Sequence, residues 1–185
     1  MGSKKEMKRE FIIPFVGLNP GDHHYEFRIG NEFFESLEYS EIQKGDIEVK
    51  LTLNRQTTMM IFSFELKGTV EVTCDRCGDE FNMPIESSQQ LIVKLNAENF
   101  EDNDEIISLP ASEYEFDVSH YIYEYIILSL PARRIHGEAE GDDSVCDPEV
   151  IRKLEEVARR ESEKKNDDDI DPRWAALKDL KKKKK

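Results

Sequence analysis

From residue 45 to residue 96 the chain alternates apolar and polar side chains with a period of two. Ile47, Val49, Leu51 and Leu53 are separated by Glu48, Lys50 and Thr52, and Phe62, Phe64 and Leu66 by Ser63 and Glu65. A period of two puts every second side chain on one face, which is the mark of a half-buried β-strand and is incompatible with a helix. Strands are expected at 47–53, 61–66, 68–73, 79–86 and 88–95, with breaks at the Asn, Gly and polar positions between them. Such a run implies an antiparallel meander, either an open sheet or one partly closed into a barrel that hides its edges.

Two further short strands are expected before it, at 11–16 and 24–29, joined through Pro20-Gly21 as a β-hairpin. At 31–37 the period changes, with Phe33, Phe34 and Leu37 on one helical face and Asn31 placed to cap it. A polar acidic loop at 96–104 leads to short strands at 105–109 and 114–116. Asp117 or Ser119 then caps a helix that runs through Tyr121 to Leu130 and is stopped by Pro131. That helix is apolar almost all round, so it should plug or cover the sheet.

Beyond Pro131 the chain becomes charged. Hydrophobic residues make up 38% of the sequence and charged residues 36%, too polar a balance for all 185 residues to pack. The expected organisation is a flexible start at 1–10, a β-rich core domain at 11–136, an acidic linker and charged helix at 137–170, and a short amphipathic helix with a lysine tail at 171–185. Within the third segment Pro148 suits the first position of a helix at 149–165, whose apolar stripe, Ile151, Leu154 and Val157, is thin. The fold class is therefore α+β: a sheet or partial barrel covered by one buried helix, with a charged C-terminal tail.

No apolar run is long enough to span a bilayer, and no signal-type stretch follows the charged start, so a cytoplasmic protein is expected. The three cysteines, Cys74, Cys77 and Cys146, are an odd set that does not suggest a disulfide framework. Cys74-Asp75-Arg76-Cys77 is a CxxC at a strand end, and His136 with Cys146 can complete a tetrahedral zinc set, since thiolates and imidazole are the ligands zinc prefers. Ten positions separate His136 from Cys146, more than a compact knuckle uses. The competing reading makes the two cysteines the corners of a turn that holds no metal. A redox pair is disfavoured, because thiol activation needs a helix N-terminus and strands flank this CxxC on both sides.

Other catalytic patterns are missing: no phosphate-binding GxxxxGK[ST], no GxGxxG after a strand, no HExxH and no GxSxG. His23 and His24 are adjacent on a strand and face opposite ways, and His120 falls in the first turn of its helix. Carboxylate runs such as 101–105 and 167–169 read as solvated loops. The chain end is the better interaction candidate. Asp171-Pro172 starts a short helix in which Arg173 and Trp174 precede Leu177 and Leu180 on one face, and a helix this short folds only against a partner, with Trp174 as the anchor. A net charge of -14 favours basic partners over a phosphate backbone. Local basic spots remain at Arg133, Arg134, Lys181, Lys182 and Lys183, where RNA contacts are conceivable.

Taken in order, the strand and Cys74-Asp75-Arg76-Cys77, then Tyr125-Ile126-Ile127-Leu128-Ser129-Leu130-Pro131 with His136 following, then Asp171-Pro172-Arg173-Trp174-Ala175-Ala176-Leu177 resemble the YceD-like family of large ribosomal RNA subunit accumulation proteins. Ile13-Pro14, Leu18-Asn19-Pro20-Gly21 and Ser40-Glu41-Ile42-Gln43-Lys44-Gly45-Asp46 resemble the version found in Bacteroidota-type bacteria. Members richer in cysteine carry further cysteines after the histidine, whereas Cys146 alone follows His136 here. The resemblance implies a bacterial cytoplasmic protein needed for normal accumulation of the 23S RNA of the large subunit, with no assigned catalytic residues. The expected function is a non-catalytic ribosome-assembly factor that binds a ribosomal protein or a pre-50S particle, without a small-molecule substrate or a membrane. Direct binding of ribosomal RNA is the alternative, and zinc is the one candidate cofactor.

Overall fold

A computed structural model describes residues 9–95, 106–137 and 146–164. Seven strands occur among them: β1 (Ile12–Pro14), β2 (Gly21–Ile29), β3 (Gly45–Arg55), β4 (Met59–Thr73), β5 (Glu80–Leu95), β6 (Ile106–Leu109) and β7 (Glu115–Asp117). The helices are α1 (Asn31–Ser36), α2 (Ser119–Leu128) and α3 (Pro148–Lys164). The five central strands form one open sheet in the order β2-β3-β4-β5-β6, and β1 and β7 form a small second sheet. Neighbours from β2 to β5 are antiparallel, and β6 runs parallel to β5. The architecture is α+β. Two units succeed one another along the chain, Met1–Arg134 and Ile135–Lys185. Both sheets, α1 and α2 belong to the first, α3 to the second.

The alternation of the sequence becomes the two faces of the sheet. Ile47, Val49, Leu51 and Leu53 of β3 and Met60, Phe62, Phe64 and Leu66 of β4 are almost wholly buried, while Glu48, Lys50, Glu65 and Lys67 stand in solvent. Burying each such aliphatic or aromatic side chain contributes on the order of 2 kcal/mol, so this face dominates the stability of the unit. The outer face is laced with exposed ion pairs, among them Arg28–Asp46 at 2.9 Å and Lys67–Glu86 at 3.4 Å. Exposed pairs of this kind contribute little each.

Strand breaks expected near residues 67 and 87 do not exist, because β4 and β5 are each continuous. Gly68 keeps the inward parity of β4 between Leu66 and Val70, paired with Ile47. A Cβ there would fall against the Asp46 carbonyl and 2.6 Å from the Ile47 Cα, so this glycine permits close backbone approach and does not end the strand. In β5 the inward positions Ser87 and Gln89 interrupt the apolar stripe, and the Gln89 amide donates to the Ser87 hydroxyl at 3.1 Å, a local polar pairing at half-buried positions. Pro84 sits where β5 has no strand on its far side among the described residues, since pairing with β6 begins at Ile92. A missing N–H is harmless there.

The expected hairpin between 11–16 and 24–29 is not formed. β1 pairs with β7, Ile13 opposite Phe116, and β2 pairs with β3 over its whole length. Gly30 and not Asn31 stands at the start of α1, and the Asn31 side chain accepts the Gly45 N–H at 3.1 Å instead, tying the helix to the first residue of β3. α2 covers the sheet with Ile122, Tyr123, Tyr125 and Ile126, the Tyr125 ring lying edge-on to Phe64. It ends at Leu128, two residues before the expected limit, because Pro131 disfavours helical backbone at Leu130. Asp117 accepts the Ser119 N–H at 2.9 Å at its start.

In the second unit Asp147 starts α3. Its carboxylate accepts the Glu149 N–H at 2.8 Å and its carbonyl accepts the Ile151 N–H at 3.1 Å. Pro148 takes the first helical position, where its missing donor is not needed. Leu154 and Val157 of the thin stripe are about half exposed. The acidic loop expected at 96–104 and most of the linker at 137–143 lie outside the described residues, as does the start at 1–8. Among the described residues no helix is long and apolar enough to cross a membrane.

Candidate metal centre

Residues 74–79 are the reversal between β4 and β5, and their hydrogen bonds define its form. The Cys74 N–H donates to the Asp79 carbonyl at 2.8 Å and the Gly78 N–H to the Cys74 carbonyl at 2.9 Å. The Arg76 N–H points at the Cys74 sulfur, 3.4 Å away. Gly78 turns the chain with φ of +84°, a left-handed conformation that side chains other than glycine adopt only with strain. An N–H directed at sulfur favours the thiolate, the form in which cysteine binds metal. The reversal therefore offers Cys74, buried, and Cys77, half-buried, from one rigid turn.

Asp75, between the two cysteines, holds a second segment. Its N–H donates to the Arg134 carbonyl and its carboxylate accepts the Arg134 N–H, both at 2.7 Å. Arg133 is exposed and Arg134 half-exposed. In the second unit the His136 Nδ1 and the Cys146 sulfur are 3.7 Å apart, with His136 9% and Cys146 2% exposed. Cys146 directly precedes the Asp147 cap of α3, which gives it a defined backbone despite the ten positions after His136.

Cys74 and Cys77 in the first unit, and His136 and Cys146 in the second, each offer one ligand atom of a kind that binds metal. Tetrahedral zinc with bonds of about 2.3 Å to sulfur and about 2.0 Å to nitrogen separates S from N by about 3.6 Å and S from S by about 3.8 Å. The His136–Cys146 spacing of 3.7 Å, within the second unit, matches that geometry. Three sulfurs and one imidazole are a soft donor set that suits zinc and is unsuited to calcium or magnesium.

The other sequence-derived candidates stand elsewhere. Asp171, Pro172, Arg173, Trp174, Leu177, Leu180, Lys181, Lys182 and Lys183 lie outside the described residues. His23 and His24 stay at the surface, bonded to the Asn19 carbonyl at 2.8 Å and the Thr52 hydroxyl at 3.1 Å. His120, in the first turn of α2, lies between the Tyr39 hydroxyl at 3.1 Å and Glu124 at 3.0 Å. Sequence reasoning did not single out Asp75 or Gly78. The glycine directly after Cys77 was a readable sign of a left-handed turn, whereas the Asp75 bonds to Arg134 span 59 positions and leave no local signal.

A family model described as large ribosomal RNA subunit accumulation protein YceD matches residues 62–181, a stretch that includes Cys74, Cys77, His136 and Cys146. No curated protein and no solved structure matches.

Proposed function

The chain belongs to the YceD family of large ribosomal RNA subunit accumulation proteins, and from that premise we propose that it is a non-catalytic, cytoplasmic assembly factor that supports 23S RNA accumulation by binding a ribosomal protein or a pre-50S particle. The family match, which spans well over half of the chain, carries this reading. A net charge of -14 supports a basic protein surface as the direct target, because it repels free RNA at long range. The segment with Asp171, Pro172, Arg173, Trp174, Leu177 and Leu180 serves as the docking helix in this reading, with Trp174 as its anchor.

Within that function Cys74, Cys77, His136 and Cys146 hold one zinc ion. All four positions are filled by protein ligands, which leaves no place for a reacting water and makes the ion a structural cross-link. Bound zinc contributes folding free energy directly, since the ligands are not assembled in the unfolded chain.

The test is recovery of partners from a lysate of the source organism with the full chain and with a form lacking 171–185, reading protein and RNA together. Large-subunit ribosomal proteins that survive nuclease treatment and are lost on truncation support the proposal. Recovery that disappears with nuclease replaces it with direct RNA binding through Arg133, Arg134 and the lysines at 181–183.

A further inference from the structure

β2 is the outermost strand of the five-stranded sheet: all nine of its residues pair with β3, and among the described residues no strand pairs with its other edge. An open edge is a row of backbone donors and acceptors that invites another strand, and proteins commonly block it with proline, a bulge or self-repelling charges. The opposite side of the sheet carries such devices, Pro84 in β5 and a β6 of only four residues. β2 has no proline, and its register with β3 runs from Gly21 to Ile29 without a bulge. Its side chains are sorted by face: Asp22, His24, Glu26 and Arg28 stand in solvent, while Phe27 and Ile29 are buried and His23 and Tyr25 half-buried.

An antiparallel partner must put solvent-facing residues opposite solvent-facing ones, since a slip of one position sets the buried face against water. Only one register of β2 against a second β2 keeps that parity and uses the whole strand, the one with a two-fold axis at Tyr25. It sets Arg28 opposite Asp22 and Glu26 opposite His24, each twice by symmetry, and on the core face Tyr25 opposite its own copy. With the axis at His24, Asp22 faces Glu26; with the axis at Glu26, that carboxylate faces itself and Arg28 faces His24. An axis at His23 or Phe27 restores attraction but pairs only five residues of each strand. Asp46 engages Nε and Nη2 of Arg28, and the Thr52 hydroxyl meets Nδ1 of His24, so Nη1 and Nε2 can turn toward carboxylates across the edge.

We propose that β2 is a self-association edge: two copies of the chain pair antiparallel about Tyr25 and join their five-stranded sheets into one continuous sheet. The charges that guard an ordinary edge by repelling a second copy here attract it, and the half-buried Tyr25 is covered by its own copy. Each chain carries a net charge of -14, but at physiological salt repulsion is screened beyond about 8 Å, whereas directly opposed pairs lie inside that distance.

The experiment is sedimentation equilibrium of the full chain at about 0.15 M salt for the parent, Asp22→Arg, Arg28→Asp and an equimolar mixture of the two variants, with circular dichroism to confirm folding. The expected result is a reversible dimer in the parent and self-association weakened by about 10- to 30-fold in each variant, because each reversal sets two pairs of like charge opposite one another. In a dimer of one variant with the other, every position 22 meets a position 28 of opposite charge, so the mixture should associate within about threefold of the parent. A parent that stays monomeric up to about 1 mM overturns the proposal. So does a dimer that both reversals leave intact, since it forms on another surface. Two weakened variants whose mixture stays monomeric overturn the register about Tyr25. Should a reversal unfold the chain, Asp22→Asn and Arg28→Gln take its place: association weaker by about threefold or more supports the pairing, and parent-like association overturns it.

Discussion

Gly68 and Gly78 are both glycines for backbone reasons, yet the reasons differ and so do the consequences of replacing them. At Gly68 the obstacle is the neighbouring strand: an added Cβ meets Asp46 and Ile47 backbone, which cannot rotate away. Gly68→Ala should cost about 3 kcal/mol, the upper end of overpacking penalties, read as a lowered urea midpoint. At Gly78 nothing lies within 4 Å and only the φ of +84° matters. Gly78→Ala should cost about 1–2 kcal/mol and Gly78→Asn less, because asparagine tolerates that region better. A Gly78→Ala protein less stable than Gly68→Ala would contradict this ordering. At the same scale the site was half legible. Cys74 and Cys77 announce themselves by spacing, and Gly78 by following them. The role of Asp75 depends on a residue far along the chain, and one aspartate among many acidic residues carries no mark of it.

α3 and the β2–β3 pair show how single groups act through an element. Asp147 supplies the side-chain acceptor at the start of α3, and the helix exposes most of its thin stripe, so little packing compensates for a lost cap. Asp147→Ala should destabilise the helix by about 1 kcal/mol, seen as faster amide exchange at Glu149 and Ile151 and reduced helical circular dichroism. On the sheet, Arg28 holds the Asp46 carboxyl below its ordinary value, first by hydrogen bonding and then by its charge. A depressed carboxyl stabilises the fold above the ordinary carboxylate range and loses that contribution as the pH falls through the depressed value. The stability difference between the parent and Asp46→Asn should therefore be constant near neutrality, begin to shrink as the pH falls below about 4, and vanish only below the depressed value. It should also shrink at high salt, since both groups face water. The strands that carry this pair were legible because alternation is local. The partner of β1 was not: Ile13 lies opposite Phe116, and no short window contains both. Nor were the continuous β4 and β5, because a glycine used for close approach and a Ser87–Gln89 pair look like breaks when only composition is visible.

For the whole molecule the deciding quantity is charge. The chain carries 40 acidic against 26 basic residues, and five of the basic ones are the closing lysines at 181–185. The two classes of partner respond to those lysines in opposite ways. If the target is a basic protein, the acidic body steers association and the lysines oppose it, so deleting 181–185 should leave affinity equal or raise it, while Trp174→Ala removes the anchor and should weaken binding by about 2 kcal/mol, roughly 30-fold. If the target is RNA, each lysine that meets a phosphate releases about 0.7–0.9 of a counterion, and deleting the run should lower the slope of log affinity against log salt by up to about 4. Measuring binding of the recovered partner across salt concentrations for these two variants separates the cases without knowledge of the partner's identity. A salt slope that survives deletion together with affinity lost through Trp174 supports protein recognition; a slope that collapses with the lysines while Trp174→Ala binds normally places the acidic body far from the contact and the tail on nucleic acid.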